Sequence, residues 1–120
     1  MEQQVISISG VQLINMKLNV LERVTALRIL PLEGNFATLK IVNNLRMALS
    51  LTEEEYSEFE VKQDGTQATW NAKGAEEREV SIGEKATDIM VEALKALDKE
   101  KKLTNSMFSL YEKFVNDTKA

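Results

Sequence analysis

Neither cysteine nor histidine occurs among the 120 residues, and proline occurs once. Without thiolate or imidazole there is no disulfide framework, no zinc finger, no Cys or Ser-His-Asp nucleophile system and no His-ligated haem, which leaves an all-carboxylate site as the main route to metal chemistry. General acid-base catalysis near neutral pH leans most often on His. Its absence weights the reading toward binding. Long apolar runs are missing as well: the uncharged stretch Gln3 to Met16 is broken by Gln, Ser, Gly and Asn and has no basic lead-in, so it reads neither as a signal peptide nor as a membrane span. An intracellular setting is the expectation.

What is present is enough for one domain. A chain of this length buries roughly two-thirds of the surface its unfolded form exposes, and 43% of its residues are hydrophobic. The net charge of −4 is unevenly placed: residues 1–50 carry five basic and three acidic side chains, residues 51–120 ten and sixteen. The overall acidity argues against a general nucleic-acid binder.

Ile6-Ser7-Ile8-Ser9 alternates weakly before Gly10, as an edge strand or an extended arm does, and Met16 could itself be a start. Residues 1–15 are therefore set apart as an N-terminal arm or edge strand, and 16–120 as a single domain. From Asn19, a good N-cap, Val20, Leu21, Val24, Leu27 and Leu30 follow at helical spacing, and Pro31 ends the helix. After a short turn, Asn35 caps a second helix whose apolar stripe is Leu39, Val42, Leu45 and Leu49. Thr52-Glu53-Glu54-Glu55 is a capping box that opens a short third helix, with its carboxylates at the positive end of the dipole.

Asp64-Gly65 is a hairpin signal of the I′ type. In the register it implies, Gln63 faces Thr66, Val61 faces Ala68 and Phe59 faces Trp70, so that the apolar side chains share one face. Arg78 to Ile82 alternates again and supplies a third antiparallel strand to this hairpin. Ser81-Ile82-Gly83-Glu84 reads as a further capping box, followed by a helix with Ala86, Ile89, Met90, Ala93, Leu94 and Leu97 on one stripe. Thr104 caps a last helix with Met107, Leu110, Tyr111 and Phe114 inward. The predicted fold is thus α+β: two N-terminal helices, a short helix, a three-stranded antiparallel β-meander, and two C-terminal helices packed on the sheet. Its buried sheet face is Phe59, Val61, Ala68, Trp70, Val80 and Ile82, with Trp70 at the centre of the core.

No residue pattern in the chain is a catalytic, cofactor or metal signature, and no cofactor is expected. Two surfaces remain as candidates. The acidic face around Glu53, Glu54, Glu58 and Glu60 is the candidate protein-binding site, suited to a basic partner surface. Lys40, Asn43, Asn44 and Arg46, on the second helix, are residue types that read base edges, so the pair of helices 19–30 and 36–49 is the alternative, a helix-turn-helix-like DNA-binding unit. The turn between them is longer than that motif uses and the basic count is small. Ile29, Leu30, Leu32, Ile41, Met47, Phe108 and Val115 supply more apolar surface than a domain this small easily buries, which suggests self-association.

The pattern Leu30-Pro31-Leu32-Glu33-Gly34-Asn35, Thr38-Leu39-Lys40-Ile41-Val42, Thr52-Glu53-Glu54-Glu55, Trp70, Ile82-Gly83-Glu84 and Leu110-Tyr111-Glu112-Lys113-Phe114 resembles small uncharacterised proteins encoded by tailed phages and prophages of Firmicutes-type hosts, over about Met16 to Val115. The resemblance implies a phage accessory or virion-assembly protein acting in the bacterial cytoplasm by binding a host or phage protein. It carries no functional residue. The reading of the whole chain is a non-enzymatic, phage-encoded protein-binding module that self-associates and uses no membrane.

Overall fold

The computed structural model describes residues 4–8 and 11–117. It is an α+β protein. Two strands, β1 (Gln4–Ile8) and β2 (Val11–Leu18), lead into helices α1 (Val20–Ile29), α2 (Phe36–Leu49) and α3 (Glu53–Glu58). A hairpin, β3 (Lys62–Asp64) and β4 (Gln67–Thr69), and a 3-10 turn at Ala72–Ala75 follow. The chain continues through β5 (Arg78–Gly83), α4 (Glu84–Lys99) and α5 (Asn105–Tyr111), which runs on into a π-helical segment Glu112–Asp117.

The helix starts follow local chemistry. The Asn19 side chain accepts from the Glu22 amide while the Glu22 carboxylate accepts from the Asn19 amide, both at 2.9 Å, and Thr52 and Glu55 make the same reciprocal pair at 3.1 and 3.0 Å. Asn35 caps α2 through the Thr38 amide. The expected capping box at Ser81 is absent: Ser81 belongs to β5, and α4 starts from Gly83 without a side-chain cap.

The sheet differs from the predicted meander. β5 pairs antiparallel with β2, and β2 in turn with β1, giving the order β1-β2-β5; the hairpin β3-β4 is a separate two-stranded ribbon. The physical reason is phase. On β2, Met16 and Leu18 alternate with Asn15 and Lys17, and their partners on β5 are Val80 and Arg78, so Met16, Leu18, Val80 and Ile82 form one buried face. β2 runs across position 15, where the arm was separated from the domain. The buried sheet face shares one core with Ala26 and Leu30 of α1, Val42, Leu45 and Leu49 of α2, Met90 and Leu94 of α4, Leu110 of α5 and Phe114 beyond it. α4 contacts both β2 and β5, whereas α5 packs mainly against α1 and sends Leu110 into the shared core.

The hairpin offers the strands no comparable face to bury. Its register is Lys62 to Thr69, Gln63 to Ala68 and Asp64 to Gln67, so the two-residue loop is Gly65-Thr66. Gly65, with φ of 64°, takes the first central position, where II′ turns place glycine, in place of the predicted Asp64-Gly65 loop. Phe59 leaves the ribbon altogether as the C-cap of α3 and is buried, while Val61, Ala68 and Trp70 are only half-buried. Trp70 is not the centre of the core. Its indole lies on Gly74 so closely that a Cβ there would overlap the ring. The apolar surplus is real in part: Leu32, Phe36, Met47 and Phe108 are largely exposed, but Leu30 and Val115 are buried.

Candidate binding groove

An open groove of about 410 Å³ lies between the end of α2, α3 and the start of β5. Its floor is built around Arg23. From α1 this side chain donates through Nε to the Leu49 carbonyl (3.0 Å) and through Nη2 to the Ser50 carbonyl (2.6 Å), and meets Glu55 with both terminal nitrogens (2.9 and 3.1 Å). One guanidinium thus satisfies carbonyls at the C-terminal end of α2, where a cation is favoured, and pairs with the carboxylate that caps α3. The three helices are fixed to one another at this point.

Arg78, at the first position of β5, forms one wall. Its Nη2 donates to Glu58 (2.6 Å) and Glu76 (2.9 Å), its Nε to Glu76 (3.1 Å), and its Nη1 stands 3.6 Å from Glu55. The guanidinium carbon lies 4.6 Å from the centroid of the buried Phe59 ring. Met47 and Ala48 of α2, Glu54 of α3, and Glu79 and Val80 of β5 complete the lining.

The charges are held in their ionised forms. Burial pushes the Glu55 carboxyl up, but the Arg23 hydrogen bonds, the Thr52 amide and the two guanidinium charges together outweigh it and leave the group below its ordinary range. The Arg78 hydrogen bond likewise holds Glu58 low, and Glu58 and Glu76 raise Arg78 further above its usual value. A second ion cluster lies elsewhere: burial lowers the Lys113 pKa, yet its bonds to Glu22 (2.8 Å) and Glu77 (2.6 Å) raise it overall. A proton-transfer group needs a pKa moved toward neutrality. These shifts move away from it. Among the described residues no group of three or more carboxylates is placed to hold a metal ion, and no helix is long and apolar enough to cross a membrane.

Of the acidic face read from the sequence, Glu54 and Glu58 line the groove. Glu53 is exposed at the start of α3 outside it, and Glu60, with φ of 51°, accepts from the Asn71 amide group at 3.1 Å. Lys40, Asn43 and Asn44 are exposed along α2, Arg46 is half-buried, and none of the four lines the groove. Sequence reasoning passed over Arg23, Glu55, Arg78 and Glu79. Arg23 had a signal: Val20, Arg23, Leu27 and Leu30 are spaced by three and four, so a charged residue stands within an apolar stripe. Comparison with protein-family models, curated proteins and solved structures finds no significant match to the chain.

Proposed function

We propose that the chain is a non-enzymatic protein-binding module whose contact surface is the groove between α2, α3 and β5. The observation that carries this reading is the lining itself: a concave surface with the exposed Met47 at its rim and four carboxylates, Glu54, Glu55, Glu58 and Glu79, against two guanidiniums. An excess of negative charge beside an apolar rim suits a basic protein surface. Ionisable groups locked in their charged states support binding over catalysis. The resemblance of the motif pattern to small phage proteins supports a phage-encoded accessory role in the bacterial cytoplasm, toward a host or phage protein. Leu32, Phe36 and Phe108, all largely exposed, are the residues we assign to self-association. For DNA binding the support is thinner, since Lys40 is the one exposed cation among Lys40, Asn43, Asn44 and Arg46, too few for strong counterion release.

The test is affinity capture from bacterial extract with the wild type and a Glu54→Lys, Glu79→Lys double variant, followed by reconstitution with the purified partner. A stoichiometric partner held by the wild type and lost by the folded variant supports the reading. Equal capture by both removes the groove as the contact surface.

A further inference from the structure

β5 is an edge strand whose first three residues line the groove. Among the described residues it pairs with β2 alone, and no turn or loop backbone bond reaches residues 78–82. In an antiparallel ladder alternate residues turn their amides and carbonyls away from the partner, so an edge strand keeps a row of unpaired groups. The groove is lined by Arg78, Glu79 and Val80 in succession. Consecutive strand side chains stand on opposite faces of a sheet, and Val80 is buried while Glu79 is exposed. A groove that meets both lies at the strand's edge beside its first three residues, with Met47 and Ala48 of α2 also in its lining.

We propose, building on the protein-binding reading, that this groove takes an extended basic segment of a partner protein, added as a strand to the free edge of β5. Arg78 to Val80 line the groove and the edge continues to Ile82, a docking length of about 17 Å in all. Main-chain bonds to β5 hold the segment, and its Lys or Arg side chains meet the carboxylates that the groove leaves in excess. Glu55 is matched by Arg23 and Glu58 by Arg78; among the described residues Glu54 and Glu79 have no ion-pair partner within 4 Å. Lys17 faces Glu79 across the ladder on the far side of β5 from the free edge. The same surplus of charge disfavours a second copy here, because two such grooves would bring like charges together.

The experiment uses the full chain, isotope-labelled for amide spectra, and an end-capped hexapeptide of alternating lysine and valine. Expected are shift changes at residues 78–82 and at the α2–α3 junction, affinity at least tenfold above that of the glutamate-valine peptide, and at least fivefold weakening in Glu79→Lys. Two further peptides carry N-methyl groups on all valine or on all lysine amides; at least one is expected to bind tenfold more weakly. Absence of binding, equal binding of the acidic peptide, or indifference to both methylations overturns strand addition. So does a concentration-dependent shift at 78–82 without peptide, which would assign the edge to a second copy. Partner capture that depends on Glu54 and Glu79 would in those cases still uphold the protein-binding reading, so the two can fail separately.

Discussion

Arg23 and Arg78 reach the same carboxylate under different conditions. The Arg23 side chain is 6% exposed and meets Glu55 at 2.9 Å; that of Arg78 is 29% exposed and stands 3.6 Å away. Arg23 spends its remaining donors on the carbonyls of Leu49 and Ser50, Arg78 on the outer carboxylates Glu58 and Glu76. Removing the first takes from a buried carboxylate its closest cation and from two backbone carbonyls their guanidinium donor, leaving Glu55 only the Thr52 amide and the more distant Arg78, whereas water can replace the second. Similar ion pairs therefore differ in what they do: one fixes three helices, and the other sets the charge of the groove wall.

The largest expected effect follows from the buried member. Arg23→Ala should destabilise the fold by ~3–5 kcal/mol, the usual cost of stranding a buried charge, measured as a shift of the urea midpoint at constant slope. A cost as small as that of Arg78→Ala would show that burial does not separate the two. A smaller effect is pH dependence. The folded pKa of Glu55 lies below the ordinary 4.5, so its contribution is present above that value and is lost as pH falls through the folded one. Lys113 is the mirror case: its folded pKa is raised, so its contribution is complete below 10.5 and disappears as pH rises through the folded value. Urea midpoints against pH should fall at both ends, with the acid slope reduced in Glu55→Gln and the alkaline slope reduced in Lys113→Met.

The helices were legible in the sequence because their signals act within one turn. Asn19, Asn35 and Thr52 each satisfy the amide three residues on, and no distant contact is needed to place them. Strand pairing is not local. β5 alternates in phase both with the hairpin and with β2, and what decides between them is which partner brings a buried face: Met16 and Leu18 are buried, while the residues of β3 and β4 are exposed or half-buried. The glycine at 65 marked the turn, but a one-residue difference in where the loop begins shifted every predicted pair. In the groove, Glu54 and Glu58 were legible as a charged face. Glu55 was read as a cap alone, since its burial depends on Arg23, 32 positions away in the chain.

The smallest expected change in stability belongs to Arg78. Arg78→Ala should cost no more than ~1 kcal/mol, in line with partly exposed ion pairs. The same substitution removes one of the two guanidiniums lining the groove and releases Glu58 and Glu76 from their shared partner. If Arg78 tunes charge, the lysine-valine peptide should bind Arg78→Ala several-fold more tightly than wild type, and the gain should shrink as salt rises. If Arg78 instead holds the start of β5 in place through the Phe59 ring, the variant should bind more weakly at every salt concentration. Calorimetric titration at low and high salt decides, because screening acts on the first effect and leaves the second in place.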